Sequence, residues 1–240
     1  MLMTPHETDF IENERLTRRG SLLRLAGLAA AVGGAGARRL DSANAAGPLA
    51  VSSGLVRCVL TPELTEGPYY VAGEKLRRDV TEGKPGTSLL LNLTVVNAST
   101  CKAVKNASVE IWHCDAGGVY SGSVANNPGT NFLRGVQKTS ATGIATFKTI
   151  YPGFYQGRAV HIHVKVHVGG SVVHTGQLFF PASVTNGVYK RAPYSAHGTT
   201  PDTLNPNDSI FRNGGSKGLL TLKKSGAGYV GSIGMGVHLA

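Results

Sequence analysis

The sequence predicts an all-β fold, an antiparallel β-sandwich whose long loops carry the functional residues. Three observations lead there. Of the 240 residues, 32 are glycine and 11 proline, so turns are frequent. Apolar residues recur with a period of two in short runs, the pattern of a strand with one buried face. Helical periodicity is nearly absent, which argues against an α/β alternation.

The strands follow in order. Leu89, Leu91, Leu93 and Val95 alternate with residues that include Asn92 and Thr94, so one face is buried. A turn rich in Asn, Ser and Thr, residues 97–106, leads into a β-branched and aromatic second strand, 108–114. Further strands are expected at 135–139, 144–150, 160–168, 172–180, 219–222 and 229–236. Long loops fall at 121–131 and 181–213, where a rigid sheet would position functional groups.

Apolar residues make up 41% of the chain and charged residues only 16%, which suits one loop-rich globular domain. The formal charge is +10. Its basic residues are scattered, and no basic run interleaved with aromatics occurs, so a solvated surface is expected and nucleic acid is not a partner.

Residues 25–37 form an uncharged, Ala- and Gly-rich stretch between Arg24 and Arg38, shorter than the ~20 residues that span a bilayer. Thr17-Arg18-Arg19-Gly20-Ser21-Leu22-Leu23 precedes it, and Ala43-Asn44-Ala45 offers a small-residue cleavage site. Residues 1–45 thus resemble a twin-arginine export signal, departing from that pattern at Ser21 and Leu23. An ordinary secretory leader and an uncleaved anchor are the alternatives. A linker at 46–57 and a catalytic domain at 58–240 are expected to follow, giving a mature protein that is secreted and not membrane-embedded. Of Cys58, Cys101 and Cys114, an exported chain can pair two, and Cys101 with Cys114 is the expected pair. Four Asn-x-Ser/Thr triplets are read as chance.

The most informative segment is Tyr151-Pro-Gly-Phe-Tyr155-Gln-Gly-Arg158-Ala-Val-His161-Ile-His163. Strand side chains alternate, so His161 and His163 share a face while Val160, Ile162, Val164 and Val166 form the other. Two imidazoles on one face can reach one metal ion. An isolated His-x-His pair, continued here by Lys165 and His167, is more often a polar, solvated strand surface. Tyr120 and Tyr155, each alone, would be half-buried aromatics with bonded hydroxyls.

Taken together, these phrases resemble the intradiol ring-cleavage dioxygenases. The resemblance runs from Thr65-Glu-Gly-Pro-Tyr-Tyr70, through Val109-Glu-Ile-Trp112, Gly118-Val-Tyr120 and Pro152-Gly-Phe-Tyr155, to the His pair and Gln177-Leu-Phe-Phe-Pro181. It implies an immunoglobulin- or transthyretin-like sandwich with long active-site loops. It also implies a non-haem Fe(3+) site with Tyr120, Tyr155, His161 and His163 as ligands. Two phenolates and a hydroxide are hard anionic donors that suit a +3 ion. A catechol-type aromatic diol and O2 would be the partners, with Tyr155 released as an internal base and a cis,cis-muconate-type diacid as product. Arg158 corresponds to a charge-stabilising arginine and Gln177 to a glutamine near the substrate; outside the resemblance they would be a surface Arg and a sheet-end Gln. Gly67, Pro68 and Tyr70 would shape the pocket wall. The helical segment that joins subunits in the catechol 1,2-dioxygenases is not evident, so the resemblance carries no oligomeric state over.

Two other classes compete with this reading. One is an exported β-sandwich binding module that holds a metal without turnover. The other is a His-ligated zinc hydrolase, which no Glu beside the His pair and no third zinc ligand supports.

Overall fold

A computed structural model describes residues 60–122 and 129–239. Eight strands form two four-stranded sheets. They are β1 (Ser88–Asn97), β2 (Ser108–Trp112), β3 (Arg134–Lys138), β4 (Ile144–Ile150), β5 (His161–Val168), β6 (Ser171–Phe179), β7 (Thr221–Ser225) and β8 (Gly228–Val237). One sheet has the order β4-β1-β8-β7 and the other β3-β2-β5-β6.

The core is made by the alternation visible in the sequence. Leu89, Leu91, Leu93 and Val95 of β1 are fully buried. They join one cluster with Val109 and Ile111 of β2 and with Ile162, Val164 and Val166 of β5. Each such aliphatic side chain contributes about 1.5–3 kcal/mol on burial, so the facing strands hold the two sheets together.

Four features differ from expectation. Most strand pairs are antiparallel, but β8 lies parallel to β1, from Leu89↔Tyr229 to Asn97↔Val237; the C-terminal strand enters between β1 and β7, and local sequence does not encode such a distant pairing. The strand expected at 219–222 lies instead at Thr221–Ser225. The expected loop at 181–213 contains helix α1 (Ala182–Tyr189) and the single turn α2 (Ser209–Arg212). In α1, Val188 and Tyr189 pack into the core, but eight residues are too few for a clear 3.6 period. Finally, Cys114 is a free, buried thiol and Cys101 is disulfide-bonded, so the expected Cys101–Cys114 pair does not form. The Cys114 thiol points inward and donates to the Gly153 carbonyl at 3.4 Å.

The expected leader and linker, residues 1–57, lie outside the described residues, as do 123–128 of the first long loop. Among the described residues no helix is long and apolar enough to cross a membrane.

The second face of the β3-β2-β5-β6 sheet positions the site. Register aligns Arg134 with Trp112, Trp112 with His163 and His163 with Gln177, one row across four strands. His161 and Phe179 form the neighbouring row. This face is not solvated: His161, His163, Lys165 and Gln177 are all buried. The N-terminal arm covers its edge, with Leu64 N–H bonded to the Thr175 carbonyl and Gln177 Nε2 donating to the Thr65 carbonyl at 2.9 Å.

Candidate metal centre

β5 presents both imidazoles on its buried polar face. Trp112 of β2 stacks on His163 with centroids 4.9 Å apart and planes within 6°, which fixes that ring. Tyr120 lies on the loop after β2, and Tyr155 on the loop between β4 and β5. These two loops are clamped to each other. Gly153 N–H donates to the Asp115 carbonyl at 3.0 Å. Gly118 has φ +82°, and a Cβ there would overlap the Phe154 carbonyl oxygen, so only glycine permits the approach. The clamp brings Tyr120 and Tyr155 together, their ring centroids 5.6 Å apart.

The polar atoms of three residues converge. Tyr155 Oη lies 3.1 Å from His161 Nε2, which lies 3.1 Å from His163 Nε2. His161 Nδ1 is 2.6 Å from the Ala159 carbonyl, so that nitrogen carries the proton and Nε2 offers a lone pair. The buried Tyr120 hydroxyl adjoins the same cluster, where it interacts with the Tyr155 hydroxyl without well-formed hydrogen-bond geometry. Tyr69 stacks on Tyr120 at 4.3 Å and closes the side of the cluster.

The electrostatics of the cluster follow first from burial. Burial, helped by the Arg158 charge, lowers His161 to about 3, and burial with His161 beside it pushes His163 well down. Both imidazoles are therefore neutral donors. Burial raises Tyr155 to about 12 and Tyr120 further, so the protein alone keeps both phenols protonated. A multiply charged cation would invert that balance, because its field favours phenolate. Among the described residues no group of three or more His, Cys, Asp or Glu could hold a metal. The donors here are two phenol oxygens and two imidazole nitrogens, a hard and largely anionic set once ionised. An ion such as Fe(3+) fits it.

Arg158 and Gln177 sit against this cluster. Arg158 Nη1 is 3.3 Å from Tyr155 Oη, and Nη2 donates to Gln177 Oε1 at 2.5 Å. Asp208, not singled out in the sequence, accepts from Arg158 Nε and from Ala159 N–H, both at 2.8 Å, and from Phe211 N–H at 2.9 Å. Its side chain is fully buried. Burial raises its carboxyl, but the two N–H donors and the guanidinium outweigh that and hold it below the usual range. An Asp before Ser209-Ile-Phe is a legible helix cap, but its bond to a residue fifty positions away is not. Tyr70 lies over Trp112 and donates to Glu110 at 3.4 Å, while Tyr69, rather than Tyr70, touches Tyr120.

Comparison with known proteins agrees with the fold. A family model described as Dioxygenase matches residues 65–185, the span that contains all six candidate residues. An intradiol ring-cleavage dioxygenase from Tetranychus urticae superposes with a TM-score of 0.72 at 32% identity, covering 75% of this chain and 95% of that one. The dioxygenase domain of a carbohydrate-binding fusion from Streptomyces sp. SirexAA-E gives a TM-score of 0.59 at 30% identity, covering 75% and 99%. Catechol 1,2-dioxygenase 1 of Acinetobacter lwoffii is 35% identical over 101 residues, 40% of this chain and 32% of that protein. The chain thus spans about a third of that curated relative's length. With the sheet, the loops and the matched span in agreement, the chain belongs to the intradiol ring-cleavage dioxygenase family.

Proposed function

We propose that this protein is a non-haem Fe(3+) enzyme that opens a catechol-type aromatic between its two hydroxyl-bearing carbons. Both atoms of O2 enter the product, a cis,cis-muconate-type diacid. The observation that carries the reading is the convergence of Tyr155 Oη, His161 Nε2 and His163 Nε2 within 3.1 Å steps beside the buried Tyr120 hydroxyl. The printed names of the curated relatives, catechol and chlorocatechol 1,2-dioxygenases, support a catechol as substrate class.

Tyr120, Tyr155, His161 and His163 would hold the ion, which when bound would supply Lewis acidity toward the diol. The chain's residues do the rest. Tyr155 Oη, beside His161 Nε2, would be placed to take one proton from the incoming diol. Arg158, 3.3 Å from that oxygen, keeps positive charge where negative charge develops on the ring. Asp208 and Gln177 hold the guanidinium on two sides, so its orientation is set before substrate arrives. Tyr69, Trp112 and Phe179 pack around the imidazoles and Tyr120 and exclude water. We also propose that residues 1–45 direct export by a twin-arginine route, with 46–57 as linker. Replacement of Arg18 and Arg19 by Lys, leaving export undiminished, would refute that part.

The central test is the visible spectrum of aerobically purified protein before and after anaerobic catechol. A reddish phenolate-to-iron band that shifts on addition, followed by O2 uptake with diacid formation, is expected. A protein that stays colourless after iron reconstitution would overturn the reading.

A further inference from the structure

Beside Tyr120, on β3, lies a buried charge that the proposed chemistry does not use. Arg134 of β3 is completely buried. Its Nη2 donates to the Ser121 carbonyl at 2.6 Å, and its Nε lies 3.1 Å from that carbonyl and 2.9 Å from the Ser121 hydroxyl. The Ser121 hydroxyl donates in turn to the Phe132 carbonyl at 2.6 Å. The residue next to Tyr120 is thus held from two directions, and the fork of one guanidinium supplies most of the hold. The same guanidinium carbon lies 5.8 Å from the centre of the Tyr120 ring.

The counter-charge is offset. Glu74 is the acidic partner, but its nearest oxygen is 3.7 Å from Arg134 Nη1, beyond hydrogen-bond reach; Asn131 also interacts with the Glu74 carboxyl, and among the described residues Nη1 has no well-formed hydrogen bond. Burial raises the Glu74 carboxyl, and Arg134 opposes that rise. Arg134 thus makes its hydrogen bonds to the loop that carries Tyr120, while Glu74 balances its charge without a direct bond. A bare structural ion pair would close its fork on the carboxylate instead.

We propose that Arg134 is a positioning residue for Tyr120: it fixes the loop that carries the phenol and places positive charge beside the ring when that phenol is ionised. The inference rests on the reading of Tyr120 as an iron ligand. It makes Tyr120 the constrained phenolate, in contrast to Tyr155, which has a mobile partner in substrate. A cation beside the ring lowers the energy of the phenolate's donor electrons, so removing it moves the charge-transfer band to longer wavelength.

The test uses iron-loaded full-length protein and three variants: Arg134→Met, Arg134→Lys, and the double variant Glu74→Gln/Arg134→Met, which removes both buried charges at near-constant volume. Expected for either Met variant is about 10- to 100-fold weaker iron retention in chelator competition, together with the longer-wavelength band. Arg134→Lys keeps the charge without the fork; its band stays near the wild-type position while iron retention falls. A folded double variant with wild-type band and wild-type iron retention overturns the proposal. If neither Met variant folds, Arg134→Lys decides, and wild-type iron retention there overturns it. A wild-type protein with no phenolate band at all removes the underlying reading of the site, and that outcome is distinct because it precedes any substitution.

Discussion

Asp208→Asn isolates one charge that the structure makes central. The carboxylate accepts three hydrogen bonds, from Arg158 Nε, Ala159 N–H and Phe211 N–H. Asparagine keeps one acceptor oxygen, enough for the cap on Phe211, but turns an amide donor toward Ala159 N–H and the guanidinium. Breaking a fully buried pair by removing one partner costs about 3–5 kcal/mol; because the Arg158 side chain is 19% exposed and keeps Gln177, the expected cost is about 2–4 kcal/mol. In a domain of this size that lowers Tm by roughly 4–16 °C. The carboxyl's folded pKa lies below its ordinary value, so its contribution is present above about pH 4 and is lost as pH falls through the folded pKa. Urea denaturation of wild type and variant near neutrality and at about pH 3 is the assay, extended with Arg158→Met as a double-mutant cycle. A neutral-pH cost under about 0.5 kcal/mol, or a cycle showing no coupling, refutes the reasoning.

Three further outcomes follow from the same geometry. Gly118→Ala is expected to cost about 2–5 kcal/mol, since left-handed strain adds to overlap with the Phe154 carbonyl. Gly157→Ala, at φ +80° with nothing within 4 Å, should cost only the strain, about 1–2 kcal/mol; equal melting shifts for the two would disprove the clamp. The Cys114 thiol, buried and raised in pKa, should resist an aromatic disulfide reagent in native protein and react on unfolding; labelling at the rate of an exposed thiol would show the inward orientation to be wrong. His113 is buried between the Cys114 carbonyl and the Thr149 hydroxyl, and burial lowers it from 6.5 to about 4. The unfolded chain binds this proton first, so stability falls as pH drops from about 6.5 toward 4, by up to ~1.4 kcal/mol per pH unit from this group. Urea midpoints across that window should fall less steeply for His113→Gln; parallel slopes count against the assignment.

The parts legible in the sequence are those that local periodicity writes. β1 alternates so cleanly that Leu89, Leu91, Leu93 and Val95 are buried as a set, and His-x-His places two imidazoles on one strand face. Periodicity cannot say whether the polar face of β5 meets water. Burial comes from the arm at 62–70, whose Thr65 carbonyl holds Gln177, and that contact spans 112 positions. Partner choice over long distances was equally hidden: β8 beside β1, Asp208 under Arg158, and which cysteine stays free. α1 was missed because one buried stripe over eight residues cannot be told from loop.

The distribution of unsatisfied polar atoms carries the last step. Burying such an atom without a partner costs about 1–3 kcal/mol, so a fold selected only for stability would scatter few of them. Among the described residues eight such atoms lack a well-formed hydrogen bond: Trp112 Nε1, Arg134 Nη1, His163 Nδ1 and Glu110 Oε1 on one face of one sheet, Tyr120 Oη in the loop after β2, both Glu74 oxygens beside Arg134, and His174 Nε2 on β6. The opposite face of that sheet carries Val109, Ile111, Ile162, Val164 and Val166, with the buried His174 beside Val166 on β6. The sandwich therefore separates two tasks across the thickness of one sheet. The apolar side supplies stability that offsets the burial of neutral imidazoles and protonated phenols on the polar side. A change on the apolar side, such as Ile162→Ala between the two histidines, should then lower stability by about 2–5 kcal/mol while leaving the band position of folded, iron-loaded protein unchanged.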